Sequence, residues 1–277
     1  MQLTLGDSWL FYNRYGRGVP ILVMHGGPGV DHSYFRPYLD ALGNVAELIY
    51  YDHRGGGRSG GQQEVGHITL EHWAQDAEAL RQALKLDRVV VLGHGFGGFI
   101  AQTYARMYPD KLLGLILSNT SPALDYPAEM LGRAREYGSA EAMAALMASI
   151  CQPVPTDDHL RQLWRTALPL YFCRYQPMFG PAMDEGMRYS AAAYNRGMFE
   201  LAPHFNSTAW LGDVEAPTLV LAGAHDWLAP QKEGIDRLLA HLSDARVQVF
   251  EHSGHYPFIE EPTAYGHAIR RYLQELA

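Results

Sequence analysis

The chain has 277 residues, 47% of them hydrophobic and 19% charged, enough for one large core or a core carrying an inserted subdomain. Its formal net charge of −8 excludes a dedicated nucleic-acid binder, which needs a basic face to neutralise phosphates. No apolar run approaches the roughly 20 residues that span a bilayer. Two cysteines, Cys151 and Cys173, stand in no pairing or zinc-type motif, so neither a disulfide framework nor a metal cage is expected. The opening residues lack a basic start followed by an apolar run, so a soluble, cytoplasmic protein is expected, with no membrane association.

Strand and helix signals alternate through the first half. The runs from Pro20 to His25 and from Ala46 to Asp52 are short, apolar and bounded by Gly, Pro or Asp, as buried parallel strands are. After Thr69, a plausible N-cap, the spacing of Leu70, Trp73, Ala77, Leu80 and Leu84 describes one face of a helix. The β-branched run from Arg88 predicts a strand, Phe96 to Tyr108 a helix stopped by Pro109, and the run from Lys111 another strand. The rhythm breaks after Ser121. Residues 122–210 carry mostly helical apolar spacing, 7 of the 10 methionines, both cysteines and no lysine. Alternation resumes with the strand from Pro217, a helix near Pro230 to His241, the strand from Arg246 and a final helix from Pro262. Strands separated by helices imply a mostly parallel, doubly wound α/β sheet. The expected organisation is a core of 1–121 and 211–277 with a helical cap at 122–210.

The Gly93-His94-Gly95-Phe96-Gly97-Gly98 turn lies between a strong strand and a strong helix. A sharp turn there needs small neighbours around a strained central residue. The centre is Gly95, which offers no nucleophile. A phosphate-binding loop is the alternative, but the Walker lysine and a clean G-x-G-x-x-G are both missing. Upstream, His25-Gly26-Gly27-Pro28-Gly29 follows the first central strand and is either a tight turn or a source of backbone N–H groups for an oxyanion. In the run from Asp52 to Gly60, the Arg and Asp residues are expected to brace loops by ion pairs. Asp226 directly follows the strand from Pro217, and His255 stands in the Ser253-Gly254-His255 loop after the strand from Arg246. Side chains at those strand ends meet at one edge of a parallel sheet, where an Asp can orient a His base. His252, nearer the strand, is a weaker competitor.

These five ordered motifs, HGGPG, DHRGGGRSG, GHGFGG, AGAHD and SGHYPFIEEP, resemble the α/β-hydrolase superfamily, and more narrowly its proline iminopeptidase-like serine peptidases. The resemblance covers about residues 8–121 and 211–277. It implies a Ser at the position of Gly95, Asp226 and His255 as the other triad members, and the N–H groups of Gly27 and Phe96 as oxyanion donors. It needs no cofactor and no metal. It further implies carboxylates near the cap that hold a substrate's α-amino group. Glu200 is the candidate, with Trp227 standing beside Asp226 where a second acid would be sought. The missing serine has two explanations, a serine replaced by glycine in this chain or a natural non-catalytic relative. The completeness of the other elements favours the first. The cap residues Tyr171, Phe172, Tyr175, Phe179, Tyr189, Tyr194 and Phe199 either line an apolar pocket or pack the cap onto the core.

Three functions follow as expectations. The first is an aminopeptidase acting through an acyl-enzyme on small N-terminal aminoacyl groups such as proline. The second is a carboxylesterase, lactonase or amidase for small hydrophobic acyl compounds. The third is a catalytically silent binding protein. In each the partner is a small molecule or short peptide. Dehalogenase and epoxide-hydrolase chemistry would need an Asp at position 95 and finds no support.

Overall fold

A computed structural model describes residues 1–6 and 8–276. Eight strands form one sheet in the order β1-β2-β4-β3-β5-β6-β7-β8. An antiparallel margin, β1 (Gln2–Leu5) and β2 (Ser8–Gly16), pairs with β4 (Ala46–Tyr51). The remaining strands β3 (Val19–Met24), β5 (Val89–His94), β6 (Leu112–Ser118), β7 (Thr218–Gly223) and β8 (Ala245–Phe250) run parallel with β4. β5 and β7 are buried along their whole length, as expected of parallel strands covered on both faces.

Helix α1 (Leu70–Ala83) starts as the spacing predicts. The Thr69 side chain accepts from the His72 N–H, and His72 reaches back in the place a Glu usually takes. Helix α2 (Gly97–Met107) follows β5, and α9 (Pro257–Glu260) and α10 (Pro262–Glu275) follow β8. The segment predicted as a helix from Pro230 begins as a π turn, Gln231–Ile235, before α8 (Asp236–His241), so its helical part is short. The two N-terminal strands were not anticipated from the sequence.

Residues 122–210 contain five α-helices: α3 (Pro127–Tyr137), α4 (Ala140–Cys151), α5 (Asp157–Ala167), α6 (Phe179–Asp184) and α7 (Ala191–Asn195). Their only extended pairing among the described residues is the bridge Ala123–Asn206, where the chain leaves the sheet and returns, reinforced by the Ser207 N–H to Pro122 carbonyl bond of 2.9 Å.

Register places the site. Met24 pairs with Gly93, His94 with Ser118, Ser118 with Leu221, and Gly223 with Phe250. The carboxyl ends of β3, β5, β6, β7 and β8 therefore share one edge, and the loops that follow them converge there. β3 has β4 on one side and β5 on the other, so chain direction across the sheet reverses at this pair. A crevice opens where such a reversal occurs.

Candidate active site

The β5–α2 turn is held by the Gly95 N–H to Ser118 carbonyl bond and the Gly98 N–H to Gly95 carbonyl bond, both 3.0 Å. Gly95 adopts φ +54°, in the left-handed region. Its glycine neighbours are there for space. A Cβ at Gly97 would overlap the Met24 carbonyl, and one at Gly98 would overlap Thr120. Close seating of α2 on the ends of β3 and β6 thus requires both. The N-terminus of α2, the positive end of its dipole, stands directly behind position 95.

His255 Nδ1 donates to Asp226 Oδ2 at 2.9 Å, with both residues buried. That bond fixes the ring so that Nε2 faces position 95: an ideal Cβ on Gly95 lies 3.0 Å from Nε2. Gly95, Asp226 and His255 thus come together, as the motifs predicted. The Asp226 carboxylate is fully satisfied. Oδ1 accepts the Leu228 N–H, and Oδ2 also accepts from Asn119 Nδ2, each at 2.9 Å. His252 is exposed and donates its backbone N–H to Glu261, so it takes no part.

Sequence reasoning missed Asn119. It directly follows β6 with φ +51°, a conformation Asn tolerates better than most residues, and also donates to the Gly254 carbonyl at 3.1 Å. A polar Asn immediately after a buried strand was the available signal. His94 and Tyr34 were missed too. The Gly26 N–H donates to the Tyr34 hydroxyl (2.6 Å), Tyr34 meets His94 Nδ1 (2.9 Å), and His94 Nε2 meets the His255 carbonyl (2.8 Å). Burial, aided by nearby His255, holds the His94 pKa well below the usual imidazole range. A neutral ring takes one proton direction in this chain, Tyr34 O–H to Nδ1 and Nε2–H to the carbonyl. The chain ties the Gly26–Gly27 turn to the backbone of His255.

Gly27 and Phe96 flank the same space, and neither N–H has a hydrogen-bond partner among the described residues. Gly27 has φ +55°, and a Cβ there would press on Val30 at 2.8 Å. His25 fixes this turn from below: the His53 N–H donates to its Nε2 at 3.1 Å, and burial lowers its pKa. In the following motif, Arg54 pairs with Asp76, and Arg58 with Asp31 (2.5 Å) and Asp52 (3.5 Å). Burial pushes the Asp52 carboxyl up, but the hydrogen bond and charge of His32, together with His25 and the Arg58 N–H, outweigh it and hold it well below the ordinary range.

A cavity of about 170 Å³ opens above Gly95. Its floor is Gly26, Gly27, Gly95, Phe96 and His255, and Met130, Leu131, Ile150, Trp164, Met187 and Met198 belong to its roof. Asp, Glu, Lys and Arg are all missing from its lining among the described residues. Trp227 does line it, 2% exposed. Glu200 does not. Its side chain is 55% exposed and pairs with Arg196 one helical turn away. The expected amino-group ligand therefore points to solvent, because the π turn Arg196–Leu201 presents Met198 to the cavity instead. Of the predicted aromatics, Tyr171 and Tyr194 reach the cavity, whereas Phe172, Tyr175, Phe179 and Tyr189 pack against the core. No group of three or more His, Cys, Asp or Glu residues among those described could hold a metal ion.

This fold and site define a class, and the comparisons agree with it. The α/β-hydrolase fold family model matches residues 19–141 and 143–262, and the chain belongs to that family. Its relatives include proline iminopeptidases of Lactobacillus crispatus, 27% identical with 96% of this chain and 94% of that protein aligned, and of Levilactobacillus brevis, 29% identical over 92% and 88%. Similar solved structures include VinJ (TM-score 0.82, 21% identity, 100% and 98% covered) and an esterase from Exiguobacterium antarcticum (0.79, 20%, 99% and 98%). A proline iminopeptidase of Mycobacterium smegmatis also superposes (0.78, 24%, 100% and 98%).

Proposed function

We propose that the site is an acyl-transfer site for small, uncharged, apolar acyl compounds, whether esters, lactones or amides. Gly95 stands in the nucleophile's place, with Asp226 and His255 as orienting acid and base. The Gly27 and Phe96 N–H groups serve as oxyanion donors, and 122–210 acts as a cap over the acyl group. As it stands the chain forms no acyl-enzyme, since position 95 offers no hydroxyl. A serine there would lie against His255 Nε2 and complete the unit.

The observation that carries the substrate class is the lining without a charged side chain. An α-ammonium placed in such a cavity loses its hydration and meets no carboxylate, a cost of several kcal/mol. A neutral acyl chain gains about 25 cal/mol per Å² of apolar surface it buries. A cavity of about 150 Å³ lined by aliphatic and aromatic residues accommodates benzene, so the 170 Å³ here suits a short acyl chain or a single ring. The second reading is an aminopeptidase. Its support is the run of proline iminopeptidase relatives aligned over nearly the whole chain.

Matched aryl esters with and without an α-amino group, offered to the Gly95→Ser protein, separate the two. The plain acyl esters are expected to show at least tenfold higher kcat/KM. A reversed preference would transfer the assignment to the peptidase.

A further inference from the structure

Resting on the acyl-site reading above, we propose that the chain itself, with glycine at 95, hydrolyses activated acyl compounds by direct attack of water and without a covalent intermediate. The class is aryl esters, thioesters and strained lactones.

The base is set for this. His255 Nε2 has no hydrogen-bond partner among the described residues, while Nδ1 is held by Asp226 at 2.9 Å. The volume that a side chain at 95 would fill is bounded by Nε2 at 3.0 Å, by Cε1 of the same ring at 3.4 Å and by Gly26 Cα at 3.7 Å, measured from an ideal Cβ. A water over Gly95 thus meets the base on one side and the oxyanion turn on another. The chemistry balances without a further reagent. Nε2 takes a proton from water while the water oxygen bonds to the acyl carbon, and the carbonyl electron pair moves onto oxygen beside the Gly27 and Phe96 N–H groups. The tetrahedral species then collapses, the bond to the leaving oxygen or sulfur breaks, and the proton on Nε2 passes to that atom. A carboxylic acid and an alcohol or thiol leave, and the base is restored.

Restriction to activated compounds follows from magnitude. Serine catalysis divides hydrolysis into two easier steps, whereas a positioned general base alone contributes about 10²–10⁴. That suffices where the leaving group departs readily and falls short for an ordinary amide.

The test uses the full chain with p-nitrophenyl butyrate and a butyryl thioester, after treatment with a fluorophosphonate that silences any serine hydrolase carried over from the host. The chain is expected to hydrolyse both, at least 100-fold faster than His255→Ala or His255→Gln. Gly95→Ala, whose methyl enters the space required by the water, is expected to lose at least tenfold. Soluble expression and thermal melts establish that each variant is folded. Should the histidine variants fail to fold, Gly95→Ala decides, since neither glycine nor alanine is a nucleophile; a melt close to that of the parent chain separates loss of the water site from the backbone strain of a Cβ at φ +54°. A rate for the chain no higher than for these variants, while Gly95→Ser, assayed without the fluorophosphonate, hydrolyses the same ester, would overturn the water route and leave the acyl-site reading standing. Inactivity of Gly95→Ser as well would overturn both.

Discussion

The floor and the roof of the cavity are built on different physics. The floor is held by directional bonds: Asp226 accepts from His255, Asn119 and Leu228, and His94 links Tyr34 to the His255 carbonyl. The roof contributes Leu131, Ile150, Met130, Met187 and Met198, which fill space without directional bonds. Polar ties between the core and residues 122–210 run around the cavity and include the His255 N–H to the Tyr171 carbonyl at 2.7 Å, the Arg188 N–H to Asp31 at 3.0 Å and the Ser190 N–H to the Gly29 carbonyl at 2.8 Å. On the proposed acyl-site reading, the floor determines what chemistry is available, and the roof which acyl group is admitted. Substitutions in the floor should act on kcat, those in the roof on KM.

The largest effect should come from the floor. In the Gly95→Ser protein, Asp226→Asn leaves the shape intact but removes the acceptor that holds the His255 tautomer. Steady-state kinetics should show kcat falling by about 10⁴ with KM little changed. A loss below tenfold would mean that another group orients His255.

How well each region was legible follows the same division. The strand ends, the Gly95 turn, Asp226 and His255 were readable because each occupies a position that backbone geometry imposes on a particular residue type. Gly97 and Gly98 permit the close seating of α2, and the Asp and His end adjacent parallel strands. Asn119 and the Tyr34–His94 chain were not readable, since their partners lie 60 to 161 residues away and no local pattern marks the pairing. The roof was least legible. An apolar face looks the same whether it meets a ligand or the core, and for that reason Phe172 and Tyr171, adjacent in sequence, could not be told apart. Glu200 shows the converse error: the acid was in a plausible segment, but the π turn carried it outward. The N-terminal strands alternate too weakly in burial to stand out from a turn-rich opening.

A smaller effect should come from the roof. Met198→Ala in the Gly95→Ser protein widens the cavity and removes apolar contact at the cost of about 1–3 kcal/mol of binding to a well-fitted acyl chain. Kinetics across acyl lengths should show KM rising roughly 5- to 150-fold for the best short substrate, with longer chains gaining relative to it. Equal loss at all lengths would place Met198 outside the acyl path.

The smallest effect is on stability and belongs to the floor. Burial holds His94 and His53 well below the usual imidazole pKa. Because their folded pKa values are depressed, both contribute stability that is present above the unfolded value of about 6.5 and is lost as pH falls below it, by about 1.4 kcal/mol per pH unit for each. Between pH 7.5 and 5.5 thermal melts should fall by roughly 5–10 °C, before carboxylates such as Asp52 titrate. A flat Tm over that interval would mean that these rings become protonated in the folded protein.

The central claim is that His255, oriented by Asp226, is aimed at position 95 as the base of an acyl-transfer site. The most direct measurement is intact-protein and peptide mass spectrometry after exposure to a fluorophosphonate. The Gly95→Ser protein should gain one phosphonyl adduct on the peptide containing position 95, and labelling should collapse when His255→Ala is added, while the chain with glycine there gains none. An unlabelled but folded Gly95→Ser protein, or labelling indifferent to His255, would contradict the account.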